Sequence, residues 1–186
     1  MKHCANDVTI YALGDYYGGD ALRSDCHRVR YRHGTVAENA ATKLAHLLPH
    51  DAVLVSIPSR SGYNEEFTDI LARHAHLTTC RCLRKKDPHV STYETKKRSR
   101  GRRRHRMVKL CLSAAPPQGR IILIDNVIAT GATLQAAMEA IGHRCDAACI
   151  AVNTDKYLQY NKHGNTIIKT KDQHGKDNNN RRKEDV

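Results

Sequence analysis

The stretch that decides the fold is Ile121-Ile122-Leu123-Ile124-Asp125-Asn126-Val127-Ile128-Ala129-Thr130-Gly131-Ala132-Thr133-Leu134. Its four leading aliphatic residues form the kind of run that is buried on both faces of a parallel sheet. The run ends in two polar residues, passes through small side chains and opens a helix carried by Leu134, Ala137, Met138 and Ile141 and stopped at Gly142. That order builds an anion site. Small residues at Ala129, Gly131 and Ala132 let backbone N–H groups approach a phosphate, Thr130 and Thr133 offer hydroxyls, and the new helix presents its positive end. Asp125 and Asn126, just upstream, are placed to reach the hydroxyls of a sugar attached to that phosphate. No Gly-Lys-Ser/Thr follows, so the loop is not a Walker A sequence.

Working outward, Ala52-Val53-Leu54-Val55-Ser56-Ile57 is a second buried strand, broken by Pro58-Ser59-Arg60-Ser61-Gly62. A helix follows from about Asn64, with Phe67, Ile70, Leu71 and Ala75 on one side. Upstream, Thr35 and Glu38 have capping-box spacing, and the apolar residues from Val36 to Leu48 predict a helix over 36–48 that stops at Pro49. Val8 to Leu13 reads as a strand, and Val29 to Arg32 has the β-type residues of an edge strand. Leu77 to Leu83 and Met107 to Leu112 read as strands flanking a basic loop, and Cys149 to Val152 as the final strand. Strands alternating with short helices predict an α/β domain, a mostly parallel central sheet flanked by helices, with ligands at the carboxyl ends of the strands. The domain is expected over residues 1–157. Residues 158–186, polar and basic, read as a disordered tail interrupted only by Ile167-Ile168.

The chain has 186 residues and a formal charge of +12, with 31 Lys and Arg, and Lys96, Lys97, Arg98, Arg100, Arg102, Arg103, Arg104 and Arg106 put eight of these cations within residues 96–106. Such a block repels itself and predicts an extended loop that awaits a phosphate-bearing partner. The seven Cys are odd in number and contain no C-x-x-C, which points to reduced thiols and a cytoplasmic protein. Cys145 and Cys149 are expected to pack as small hydrophobes. No run approaches the roughly 20 apolar residues of a membrane span, so no membrane contact is expected. No cluster of metal-ligating side chains is visible.

The 121–134 stretch resembles the phosphoribosyl-pyrophosphate (PRPP) motif of type I phosphoribosyltransferases: four apolar residues, two acids, two apolar residues and a Thr-Gly-x-Thr loop. Asn126 stands where the family has its second acid. Ile57-Pro58-Ser59-Arg60-Ser61-Gly62, directly after a buried strand, resembles the family's pyrophosphate loop, with Arg60 able to pair with phosphate oxygens. The segment Lys85 to Arg106 lies where the family carries a mobile catalytic loop. Tyr17 to Arg23, Val29 to Gly34 and Ser61 to Glu66 resemble the ComF-like branch, without its N-terminal four-cysteine zinc module. Together the resemblance covers about residues 8–155.

The resemblance implies PRPP binding through Ser59, Arg60, Ser61, Gly62, Asp125, Asn126, Ala129, Thr130, Gly131, Ala132 and Thr133. Catalysis would fall to Asp125, Asn126, Arg102 and Arg103, with Mg²⁺ held mainly by the ligand's own oxygens. The implied reaction transfers phosphoribose to a nitrogenous base and releases pyrophosphate. Ala129 occupies the place of the carboxylate base of 6-oxopurine enzymes, which disfavours hypoxanthine and guanine, and nothing selects another base or an oligomeric state. A second reading stays open: a non-catalytic protein of the same fold that binds single-stranded nucleic acid through residues 96–106, in DNA uptake or repair.

Overall fold

The computed structural model describes residues 8–86, 109–161 and 166–170. Among the described residues, eight strands and five helices follow one another. They are β1 (Val8–Asp15), α1 (Asp20–Arg30), α2 (Gly34–Ala45), β2 (Ala52–Ser56), α3 (Tyr63–Ala75), β3 (Thr78–Cys80), β4 (Leu83–Lys85), β5 (Leu110–Leu112), β6 (Arg120–Ile128), α4 (Ala132–Ile141), β7 (Asp146–Val152), α5 (Thr154–Tyr160) and β8 (Thr166–Thr170). Six strands form one sheet in the order β3-β2-β6-β7-β1-β8, and every pairing in it is parallel. The remaining pair, β4 and β5, is an antiparallel ladder. The expected α/β architecture with a parallel sheet and flanking helices is therefore present.

Chain direction explains the two-sided core. From β1 the chain moves through β2 to β3 toward one edge, and from β6 it moves through β7 to β8 toward the other. Because parallel crossovers keep one hand, reversing direction moves the connecting helices to the opposite face. Cys26, Val29, Ala41, Leu44, Phe67 and Leu71 of α1, α2 and α3 accordingly pack with Leu54, Ile122, Ile124 and Ile150. Leu134, Ala137, Ile141 and Tyr157 of α4 and α5 pack with Val55, Leu123, Ala147 and Cys149 on the other side. Cys26, Cys82, Cys145 and Cys149 are buried, none of the six described cysteines is in a disulfide, and burial pushes the Cys145 thiol up to about 12.

Five local expectations are corrected. Val29 to Arg32 is not a strand: Leu22, Cys26 and Val29 recur at helical spacing and pull the segment into α1, which turns at Arg32 with a positive φ of 61°. Thr35 is no cap. The α2 N-cap is His33, Thr35 lies inside the helix, and α2 closes at Ala45. Glu38, the supposed capping partner, instead meets His74 Nε2 at 2.6 Å and Arg73 Nη2 at 3.1 Å on α3.

Leu77 to Leu83 splits into β3 and β4. Cys80 is the last residue paired with β2, whereas Cys82 and Leu83 turn into the second core. Cys149 to Val152 belongs to a longer β7 that is not the last strand. Ile167 and Ile168, read as an interruption in a tail, lie in β8, which pairs with β1 from Val8↔Thr166 to Ala12↔Thr170. The sheet therefore continues past residue 157. Residues 1–7, 96–106 and 171–186 lie outside the described residues, including the basic loop with Arg102 and Arg103 and the rest of the expected tail. Among the described residues no helix is long and apolar enough to cross a membrane.

Candidate functional site

The two buried strands that the sequence marked, β2 and β6, are neighbours, and their ladder ends where Ser56 pairs with Ile124. Beyond that point their connections part: β2 leads to α3 on one face, β6 to α4 on the other. Adjacent strands whose connections diverge leave a crevice at their carboxyl ends, where open α/β sheets bind ligands. Asp125 is the first residue of β6 past the end of the ladder.

Asn64, in the first turn of α3, spans the parting strands. Its side chain is only 1% exposed, and Nδ2 donates to the carbonyls of Ile57 at 2.8 Å and Ile124 at 3.1 Å. The same nitrogen lies 3.4 Å from Asp125 Oδ1, which also accepts from the Asn126 backbone N–H at 2.8 Å. Burial nevertheless pushes the Asp125 carboxyl up to about 6; the bonds from Asn126 and Asn64 and the nearby Lys85 ammonium only partly offset it. Lys85, at the end of β4, is half-buried and its pKa is lowered by burial, while Glu65 and Asp125 hold it up and Arg60 pushes it down. Lys85, Arg60, Glu65 and Asp125 thus share one electrostatic neighbourhood. Tyr63 adjoins it, with a phenol pushed up to about 12 by burial and by Asp125.

The sequence-marked residues fall into three groups. Ser59 donates its hydroxyl to Glu65 Oε2 at 2.8 Å and accepts from the Asn64 backbone N–H at 3.2 Å, so it ties the 58–62 loop to the start of α3. Arg60 and Ser61 are exposed. Ser61 O accepts from the Arg32 guanidinium, and Gly62 is the α3 N-cap in the left-handed region. In the second group, Ala129 is exposed and Thr130, Gly131, Ala132 and Thr133 are half-buried around the start of α4. Gly131, at φ 76°, is its N-cap, and no side chain caps the helix.

The Thr130 carbonyl accepts from Asn161 Nδ2 at 3.0 Å, and a Cβ on Gly131 would lie 2.8 Å from the Tyr157 ring. The third group is Asp125 and Asn126, which part company. Asn126 is 5% exposed and its Nδ2 donates to the Cys26 carbonyl of α1 at 2.8 Å, so its amide serves the helix rather than the crevice. Neighbouring strand residues point to opposite faces, which is why the two adjacent polar residues separate.

Asn64, Glu65, Lys85 and Tyr63 were not singled out as site residues. Asn64 left a trace: it shares the face of Phe67, Leu71 and Ala75, and an amide on an otherwise apolar helix face must have a partner. Its Oδ1 and that of Asn126 are buried without a hydrogen-bond partner among the described residues. Lys85 and Glu65 left none, because only the fold brings the end of β4 within electrostatic reach of the first turn of α3. Among the described residues no group of three or more His, Cys, Asp or Glu is placed to hold a metal ion.

No protein-family model matches the chain, and no curated protein does. One similar solved structure is that of a hypoxanthine phosphoribosyltransferase from Staphylococcus aureus. It has a TM-score of 0.36 and 14% sequence identity, and the match covers 69% of this chain and 62% of that one. This chain therefore spans less than two thirds of that protein's length.

Proposed function

We propose that this chain is a phosphoribosyltransferase-like protein that binds PRPP with Mg²⁺ in the crevice between β2 and β6. The observation that carries the reading is that the two loops the PRPP resemblance marked leave the carboxyl ends of two neighbouring strands, with a desolvated carboxylate, Asp125, where those strands part. The uncapped start of α4 and the glycine-permitted turn at Gly131 suit the 5′-phosphate, with Thr130 and Thr133 adding hydroxyls. Arg60 and the amides of Ser59, Ser61 and Gly62 suit the pyrophosphate, and Lys85 adds a cation beside them. Arg102 and Arg103 on the 96–106 segment are assigned to the departing charge.

Asp125 is the residue on which chemistry depends. A carboxylate that is costly to ionise is strongly stabilised by any positive charge brought to it, and a ribosyl transition state develops such charge at the sugar carbon. Transfer would join a base nitrogen to that carbon as the bond to pyrophosphate breaks. Mg²⁺ would neutralise the diphosphate, held mainly through the ligand's oxygens and water. The Asp125 carboxylate is a hard oxygen donor that fits such an ion.

Calorimetry with PRPP tests the reading: binding is expected with Mg²⁺ and weakened at least tenfold by Asp125→Ala or Thr133→Ala, about the effect of losing one charge-assisted bond. A folded protein that gives no binding heat with PRPP and Mg²⁺ overturns it. A screen of nitrogenous bases for pyrophosphate release then separates an enzyme from a binding protein.

A further inference from the structure

Helix α1 turns only Leu22, Cys26 and Val29 toward the core, leaving Arg23, His27 and Arg30 exposed at helical spacing. Tyr16 and Tyr17, in the turn between β1 and α1, pack edge to face with ring centroids 5.1 Å apart. The Arg23 guanidinium lies 5.8 Å from the Tyr16 ring centre and 5.9 Å from that of Tyr17. Tyr16 Oη lies 3.4 Å from His27 Nε2, and Tyr17 remains 61% exposed. At the other end of the helix Tyr31 is 73% exposed. No carboxylate among the described residues pairs with Arg23, Arg28 or Arg30.

The turn is anchored, because the Tyr16 N–H donates to the Val152 carbonyl at 2.8 Å. The stripe therefore stands at the carboxyl edge of the sheet, and its far end, Arg30, lies within electrostatic reach of Tyr63. An apolar protein partner would leave these guanidinium groups buried and unpaired, which is costly. A chain of unstacked bases joined by phosphates answers both features. Rings take bases by their π faces, and cations between them take phosphates.

We propose that this stripe, Tyr16, Tyr17, Arg23, His27 and Arg30, is a docking surface for single-stranded nucleic acid. It does not depend on PRPP binding, and it uses residues remote in sequence from the 96–106 segment.

Fluorescence anisotropy on the full chain, with a labelled oligodeoxyadenylate of about 12 nucleotides, tests it over about 50–300 mM salt. The parent protein should bind the single strand more tightly than a duplex of the same length. Tyr17→Ala should weaken binding about tenfold with an unchanged salt slope, since stacking releases no counterions, while Tyr17→Phe should retain it. Arg23→Ala should make the log-log slope shallower by about 0.7. Tyr17 and Arg23 are exposed, so both variants should fold. Absence of single-strand binding at the lowest salt overturns the proposal, as does equal duplex affinity. Binding that survives Tyr17→Ala and Arg23→Ala unchanged but falls with Arg102→Ala and Arg103→Ala overturns it too, placing the contact on the basic segment.

Discussion

The two loops that leave the neighbouring strands β2 and β6 are built on the same local device and supported in opposite ways. Each leads from a buried strand to a glycine N-cap in the left-handed region, Gly62 at φ 77°, ψ 2° and Gly131 at φ 76°, ψ 0°, and neither helix has a side-chain cap. What lies behind them differs. The 58–62 loop is held by polar bonds near the surface: Ser59 to Glu65, Arg32 to Ser61, and an exposed Arg32–Glu66 pair at 3.3 Å. The loop before α4 is held by the buried Tyr157 ring and by Asn161, both contributed by the segment after β7. Exposed polar supports yield at little cost, whereas a packed ring does not. Under the proposed PRPP reading, the α4 loop would fix the ligand and the 58–62 loop would adjust around it.

The largest effect should come from putting a side chain into the rigid loop. Gly131→Val combines left-handed strain with a 2.8 Å encounter with Tyr157, and should destabilise the fold by about 4 kcal/mol, read from denaturant titration. At Gly62 the nearest atom to an added Cβ is the flexible Arg32 Nη2 at 3.4 Å, so Gly62→Ala should lose only the backbone term, about 1 kcal/mol. Equal losses at the two glycines would end the comparison.

Restoring an acid at Asn126 is a sharper probe than its position in the motif suggests. Asn126→Asp would aim a carboxylate at the Cys26 carbonyl in a site that is 5% exposed, and should cost about 3 kcal/mol at neutral pH. The loss should shrink as pH falls toward 4 and the carboxyl protonates. A variant as stable as the parent, with faster pyrophosphate release, would return this residue to the crevice.

Asp125 should behave in the reverse sense. Its folded-state pKa of about 6 lies above the ordinary 3.8, so the folded state holds the proton more tightly and stability from this group falls as pH rises from about 4 through 6. Above that window the ionised carboxylate costs up to about 3 kcal/mol. Asp125→Asn should therefore stabilise the protein at pH 7 by up to that amount and remove this part of the pH dependence, while weakening PRPP binding. Stability curves of both proteins from pH 4 to 8 check it, and a variant less stable than the parent at pH 7 would refute the sign.

The smallest effect concerns the supports themselves. Asn161→Ala removes the bond to the Thr130 carbonyl and should cost about 1 kcal/mol, with accelerated amide exchange confined to residues 129–133. Arg32→Ala, which removes an exposed tie, should change stability by about 0.5 kcal/mol or less.

What the amino-acid sequence determined by itself was whatever rests on local pattern. The apolar runs at 52–57 and 121–124 announced strands buried on both faces, and Phe67, Leu71 and Ala75 announced α3. The small residues at 129–132 announced the turn from β6 into α4. Tertiary structure decided the rest, because the competing energies were not local. Glu38 left its capping partner for His74 and Arg73 once α2 lay beside α3. Ile167 and Ile168 became a strand because β1 offered an open edge, which no property of a polar segment reveals. Asp125 and Asn126, adjacent and alike in sequence, were separated by the alternation of a strand: one meets the opening between diverging connections, the other a helix carbonyl. Lys85 joined Asp125 only because the chain leaves the sheet edge after Cys80 and β4 ends within electrostatic reach of Glu65 and Asp125. Residue type sets what a side chain can do; the packing of distant segments sets what it faces.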